Sequence, residues 1–584
     1  MTDQKFTRRS LISAVPSGAL ALTLGASPLA RAAAAIATDK RPPNILFVFT
    51  DQERYFRKFP PGMSLPAHER LWRKGTTFTN HYISAVMCTP SRSVMVTGLQ
   101  TVDNRMVENT DMPWVKDLDP NIPTIGHMLG KTGYYPAYKG KWHLTRAFNE
   151  NKIPDRLFTT EMQAYGFNDY ASPGDVIGHT LGGYEFDHLI AGSAITWFRR
   201  RGAQLNAAGK PWALTVSLVN PHDIMYFNTD APGQDVQDNK RLLQHCARAP
   251  DIPFYKADWD LPLSPSNGQA FDAPGRPKAH GEYQAAWDHL LGHVPNEAER
   301  WKRFGNFYMN SLRAVDEQLG TILTELDTLG MSDRTIIVYT ADHGEMAGAH
   351  GGLRGKGPFA YEENLHVPFI VVHPDVAGGR ESKALTSAID IAPTLLGFAG
   401  ASRTKTAELA GRDLPGKDLG PLLARPDAPV NANREAVLFT YSGIATNDSS
   451  MIGKAADFIA SGKSMKDLVA SGAKPDLTKR GTVRSAFDGR YKFTRYLSPL
   501  QRNRPGNSDE LYAHNDVELF DLESDPNEMN NLAREKGQNK ELVEQMSGKL
   551  EQVIAAEMRV DDGREMPDLQ GQKISWALPV NAID

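Results

Sequence analysis

Apolar runs that stop abruptly at polar residues organise the first two thirds of the chain. Asn44-Ile45-Leu46-Phe47-Val48-Phe49-Thr50 runs without a break and ends at Asp51. A strand buried on both faces of a parallel sheet reads this way, because neither face carries a polar alternation. The same grammar recurs from Trp212 to Val219, before Asn220-Pro221-His222-Asp223, and from Thr335 to Thr340, before Ala341-Asp342-His343-Gly344-Glu345. Between Phe304 and Leu329 the apolar positions take helical spacing, at Leu312, Val315, Leu319, Ile322, Leu326 and Leu329, and Gly330 closes them. Helix alternating with buried strand predicts an α/β fold over residues 41–433, a large, mostly parallel sheet flanked by helices. Ligands of such sheets sit beyond the carboxyl ends of strands, where Asp51, His222, Asp342 and His343 fall.

From about Arg434 the texture changes. Glu435 to Tyr441, Thr482 to Phe487 and Arg490 to Leu497 read as strands, the last two joined by Asp488-Gly489, a two-residue hairpin signal. Leu542, Val543, Met546, Leu550 and Val553 share a face within Asn539 to Met558, which predicts a helix packed on that sheet. Residues 434–584 are therefore expected to form a smaller C-terminal α+β domain containing an antiparallel sheet. Two stretches fit neither pattern: 223–299, rich in proline and aromatics, and 444–480, polar and helix-like. Both are expected to be insertions of the kind that build lids or substrate walls.

At 584 residues and 41% hydrophobic, the chain is too long for one ordinary core and too apolar for disorder. A formal net charge of -4 and the lack of a basic run argue against nucleic acid as a partner. Thr7-Arg8-Arg9-Ser10-Leu11 precedes a modestly apolar stretch to Leu29 and then Ala30-Arg31-Ala32. Residues 1–32 thus read as a twin-arginine export signal with a small-residue cleavage site, which predicts a periplasmic or secreted protein without stable membrane association after cleavage. Such a compartment would permit Cys88 and Cys246 to pair.

Cys88-Thr89-Pro90-Ser91-Arg92 stands ahead of the short apolar segment Ser93 to Thr97, and a helix beginning there would place positive potential at Cys88. Taken alone, that cysteine is as well read as a small buried hydrophobe. The segment, however, resembles the signature of the type I sulfatases of the alkaline phosphatase superfamily, whose Cys-x-Pro-x-Arg cysteine is oxidised to formylglycine by a maturation enzyme. Further blocks resemble that family in the same order. They are Asn44 to Gln52, Gly140-Lys141-Trp142-His143, Asn220-Pro221-His222, Ala341 to Glu345, and Lys356 within Gly355-Lys356-Gly357-Pro358. Leu519-Phe520-Asp521-Leu522 with Asp525-Pro526-Asn527-Glu528 and Asn531-Leu532 resembles its C-terminal pattern. One block is weak; the ordered set is strong.

The resemblance implies an enzyme that hydrolyses a small-molecule or carbohydrate sulfate ester to alcohol and inorganic sulfate. It makes Cys88 the formylglycine nucleophile, held electrostatically by Arg92, with Lys141 and Lys356 on the sulfate oxygens. His222 with Lys356 would protonate the leaving alcohol, His143 would deprotonate the hydrate, and Asn109 would touch substrate. Asp51, Gln52, Asp342 and His343, with modified Cys88, would ligate one divalent cation. Many sulfatases carry a second Asp where Gln52 stands and an Asn where His343 stands; the Asp-Gln and Asp-His versions resemble choline sulfatases and phosphonate monoester hydrolases. An imidazole shifts the shell away from all-oxygen, so calcium is expected first and manganese as its alternative. A phosphonate monoester or phosphodiester hydrolase on the same fold and a non-catalytic sulfated-glycan binding protein are the rival readings.

Overall fold

The computed structural model describes residues 41–566 apart from 113, 149–156, 172–173, 177, 238–244 and 502–503. The export signal read in residues 1–32 lies outside the described residues. Strand β1 (Asn44–Asp51) is buried along its whole length. Ile45, Phe47 and Phe49 enter one core layer and Leu46 and Val48 the other, which is why the run shows no polar alternation. After it come β2 (Thr76–Phe78), β3 (His81–Tyr82), β4 (Tyr135–Gly140), β5 (Trp212–Pro221), β6 (Thr335–Ala341), β7 (Phe369–Val372), β8 (Arg380–Ser382) and β9 (Thr386–Ser387). A seven-stranded sheet runs in the order β4-β5-β1-β6-β7-β2-β8. The first four strands are mutually parallel, and β7 opposes both its neighbours. β3 and β9 pair separately.

The helices that matter below are α1 (Cys88–Thr97), α2 (Gly182–Trp197), α3 (Lys278–Leu291), α4 (Ala298–Thr328), α5 (Ser449–Ala460) and α6 (Lys540–Glu557). α4 starts earlier than the Phe304 boundary read from the stripe. Its first turns bury Trp301, Phe304 and Phe307 with Ile224, Phe227 and Tyr255, while Val315, Leu319, Ile322 and Leu326 cover the sheet. One helix thus serves two cores on two faces, and a single stripe captures only the second.

Strands β10 (Val437–Tyr441), β11 (Thr482–Phe487), β12 (Tyr491–Leu497) and β13 (Asn515–Asp521) form an antiparallel sheet in that order. The β11–β12 turn is displaced by one residue from the expected Asp488-Gly489 pair. Asp488 is still paired, its amide donating to the Tyr491 carbonyl at 3.1 Å, and its carboxylate accepts the amides of Arg490 and Tyr491 at 3.1 and 2.8 Å. The central residues are therefore Gly489 and Arg490, with Gly489 at φ 100° in the first position, where only glycine is unstrained. On one face of this sheet Leu438, Ala486, Phe493 and Leu519 pack against Val543, Met546, Leu550 and Ile554 of α6. On the other, Val437, Phe439 and Val483 pack against Tyr82, Ile83 and Val86, the segment leading into α1, and Thr440 N donates to the Ser84 carbonyl at 2.9 Å. The sheet is thereby a platform under the start of α1.

Beneath the main sheet's carboxyl end, His68 is fully buried between two acids. Its Nδ1 lies 2.5 Å from Asp316, its Nε2 3.1 Å from Glu53, and Tyr339 Oη donates to Glu53 at 2.6 Å. Burial would depress this histidine, but Glu53 and Asp316 raise it to about 10. A raised folded-state pKa means stabilisation that is complete below the unfolded value near 6.5 and lost as pH climbs through about 10. Urea unfolding from pH 6 to pH 10 should thus show a progressive loss on the order of 4 kcal/mol. In His68→Gln that slope should be absent.

Candidate active site

Four neighbouring parallel strands end at one point. In the order β4-β5-β1-β6, their carboxyl ends deliver Lys141, His222, Asp51 with Gln52, and Asp342 with His343. Register sets this convergence, Thr50 lying opposite Ala341 and Asp51 opposite Pro221. α1 supplies the fifth component, since Cys88 is its first residue and its positive end faces the strand ends. Every α1 residue is buried. Thr89 Oγ1 donates to the His143 carbonyl at 2.6 Å and the Ser91 hydroxyl donates to the Asp342 carbonyl, which fastens the helix start to two of those ends.

Asp51 and Asp342 each give one oxygen to cations and turn the other to a shared cavity. Asp51 Oδ2 accepts from Arg92 Nη2 at 2.9 Å and Lys141 Nζ at 2.6 Å; Asp342 Oδ2 accepts from Arg92 Nε at 2.8 Å. Their Oδ1 atoms lie 3.4 and 3.5 Å from His343 Nε2, and Cys88 Sγ is 3.2 Å from that nitrogen and 3.7 Å from Asp51 Oδ1. Burial would raise Asp51, but Lys141, His222, Arg92 and His343 together hold it well below the ordinary carboxylate value. Burial lowers His343, whose Nδ1 faces the Gly344 carbonyl at 3.1 Å. The ring proton therefore sits on Nδ1, leaving the Nε2 lone pair toward the cavity. The four ligand atoms all lie within 4.8 Å of one another, the span of one coordination shell. Two carboxylate oxygens, an imidazole and residue 88 fit a divalent cation. Gln52 stands alongside, its Oε1 accepting from Lys356 Nζ at 2.7 Å and its Nε2 donating to Glu345, which fixes the way the amide faces.

A family model described as Sulfatase matches residues 43–401. The chain belongs to the sulfatase family. An N-acetylglucosamine-6-O-sulfatase from Bacteroides thetaiotaomicron is 27% identical over 74% of this chain and 80% of its own. A choline-sulfatase from Rhizobium meliloti is 27% identical over 62% of this chain and 68% of its own. Among solved structures, a protein in complex with its substrate D-glucosamine-2-N,6-O-disulfate shares the fold with a TM-score of 0.62 at 19% identity, over 90% of this chain and 99% of that one. The phosphonate monoester hydrolase of Agrobacterium radiobacter shares it at 0.58 and 19%, over 88% and 96%. This sulfatase is a sulfuric ester hydrolase, and the fold class read from its sequence is the one observed.

The remaining residues singled out in the sulfatase's sequence surround the same cavity. His143 Nε2 lies 3.7 Å from Asp111 Oδ1, and the amides of Trp142 and His143 donate to Asp175 at 2.6 and 2.7 Å, which pins a turn with His143 at φ 58°. His222 follows β5 in a short helical turn. Asp187 of α2 accepts the Val219 and Asn220 amides at 2.6 and 2.8 Å, while Asp223 accepts those of Gly183 and Tyr184 at 2.7 and 2.8 Å. Helix and strand end thus cap each other. Burial and Lys141 hold His222 well below the ordinary histidine value, so it is neutral in the ligand-free site. Asn109 borders the pocket, with its Oδ1 accepting the Thr89 amide at 3.1 Å.

The hydrogen bonds of Arg92 go to Asp51, Asp342, the Lys141 carbonyl and Ser217, so it braces the acids that frame residue 88. Cys88 and Cys246 are both free, and Cys246 Sγ instead donates to the Leu291 carbonyl at 3.5 Å. Glu345 and Asp223 were inside the sequence blocks but had no assigned role. Asp175, Asp187 and Asp111 gave no signal, because each acts on backbone or side chains brought near only by folding.

Proposed function

We propose that this sulfatase is exported through its twin-arginine signal and uses formylglycine made from Cys88 by a maturation enzyme to hydrolyse an organic sulfate ester. The observation that supports this best is the placement of Cys88 at the amino end of α1, against Asp51, Asp342 and His343. Among the described residues no helix is long and apolar enough to cross a membrane. Asp51, Gln52, Asp342, His343 and residue 88 would hold the cation, calcium or manganese, which when bound supplies Lewis-acid polarisation of the attacking and ester oxygens. Formylglycine at position 88 supplies a geminal diol, one hydroxyl for attack on sulfur and a second for release of sulfate.

The chain's own groups do the rest. Lys141 and Lys356 offset the sulfate oxygens' charge, and Arg92 holds the carboxylates of Asp51 and Asp342 in place. His143, steadied by Asp111, takes the proton of the second hydroxyl. His222 donates to the departing alcohol oxygen: the ester's negative charge, arriving beside Lys141, offsets that lysine's share of the bias that keeps this imidazole neutral, the rest being its burial. Turnover of an aryl sulfate against a phosphonate monoester and a phosphodiester tests the reaction class, and the sulfate should be preferred. A clear preference for either phosphorus ester would replace the reading with the rival on the same fold.

His222→Ala should cost little with an activated phenyl sulfate, whose phenolate leaves unaided. With alkyl esters, whose alkoxide needs a proton, the loss should reach on the order of 100-fold. A series of sulfates of rising leaving-group pKa checks this, and equal losses across the series would move the acid to Lys356.

A further inference from the structure

We infer that the alcohol half of the ester is compact and apolar, an aryl or short alkyl group, and that sugar chains are excluded. This rests on the proposed reaction centre. A pocket of about 240 Å³ is lined by Lys141, His143 and His222 together with an apolar wall of Met225, Tyr226, Trp287, Leu290 and Ile452. An apolar cavity near 150 Å³ holds one benzene, so this volume takes a sulfo group and one ring, not a disaccharide.

The wall offers a sugar little. Each hydroxyl removed from water needs a partner, or its burial is unfavourable. The Thr446 hydroxyl is already paired with Tyr441 and the Asn109 carbonyl with the Thr89 amide, and the one carboxylate lining the pocket, Asp111, stands beside His143 at the reaction end. The aromatic and aliphatic groups suit a ring or chain without hydroxyls.

Nor is the wall free to open into a groove. Trp287 and Leu290 come from α3 in the first insertion and Ile452 from α5 in the second. Glu282 of α3 accepts the amide and hydroxyl of Ser449 at 2.8 and 2.7 Å. Lys479 bridges Glu282 and Asp448 at 2.7 and 2.8 Å. Gly453 lets the helices close further, since a Cβ there would lie 2.9 Å from the His289 imidazole. The two insertions that the sequence marked as candidate substrate walls are one clasped wall.

The test uses full-length enzyme whose residue 88 carries the aldehyde, assayed with methyl, phenyl and cyclohexyl sulfates, N-acetylglucosamine 6-sulfate and a sulfated oligosaccharide. Phenyl and cyclohexyl sulfates should exceed both sugars in kcat/KM by about 100-fold. Leu290→Gln and Ile452→Gln, at half-buried wall positions, should lower kcat/KM for phenyl sulfate about tenfold while leaving methyl sulfate, too short to reach the wall, within about twofold. Sugar sulfates turned over as well as the aryl ester would overturn the inference, as would equal losses for methyl and phenyl sulfates in both variants. Failure of aldehyde-bearing enzyme on every sulfate ester would instead overturn the sulfatase mechanism proposed above.

Discussion

Cys88→Ala should lower turnover of any sulfate ester by about 10⁵-fold or more, the scale of removing a covalent nucleophile. Alanine loses both the attacking oxygen and one of the cation's contacts, whereas Asp51, Asp342 and His343 remain in place. Cys88 fills a small buried site, so its loss removes only one sulfur atom's packing and the fold should persist, with a cost of about 1 kcal/mol. Mass spectrometry of the wild-type peptide spanning Cys88 should find an aldehyde in protein made with a maturation enzyme and a thiol in protein made without one. Activity should track the aldehyde fraction linearly. Fully active protein carrying only the thiol would end the formylglycine reading.

Asp342→Ala should be the most damaging change to the site as a whole, because it strikes chemistry and stability together. Asp342 Oδ1 faces the proposed cation site and accepts the Gln52 amide at 3.1 Å, while Oδ2 holds Arg92 Nε at 2.8 Å. Removal takes away a ligand and leaves a fully buried guanidinium with Asp51 as its remaining acidic partner, which Lys141 already occupies at 2.6 Å. Breaking one side of a buried ion pair typically costs about 3–5 kcal/mol. Metal content by elemental analysis, turnover and the urea midpoint should therefore fall in concert, with activity down at least about 10³-fold. Asp342→Asn, of the same shape but uncharged, should recover part of the folding loss by accepting from Arg92, yet little of the activity. A variant with wild-type metal content and rate would remove Asp342 from the cation site.

How far the sequence carried this argument depended on distance along the chain. β1 was legible because both its faces are buried, so the run from Asn44 to Thr50 needed no partner to be recognised. Cys88, Lys141, His222, Asp51 and Asp342 were legible because each sits within a short block whose neighbours set its backbone. The direction each side chain takes was not. The guanidinium of Arg92, for instance, spans two carboxylates contributed by residues far away on β1 and after β6. Asp175 and Asp187 pin loops from more than thirty residues off, and no local spacing encodes such pairings. The one-residue displacement of the β11–β12 turn has the same origin in miniature: a side-chain carboxylate at Asp488, not dipeptide preference alone, chose the register.

On the proposed formylglycine mechanism, the packing around α1 bears on when Cys88 can be oxidised. Cys88 is 1% exposed in the folded protein, so a maturation enzyme of the kind proposed would have to reach Cys88-Thr89-Pro90-Ser91-Arg92 before folding is complete. Part of the packing of the segment that leads into α1 comes from far along the chain: until β10 to β12 dock, Tyr82, Ile83 and Val86 lack their contacts with Val437, Phe439 and Val483. On that proposal the cysteine is open to oxidation only until β1, β6 and the residues that follow them close around it.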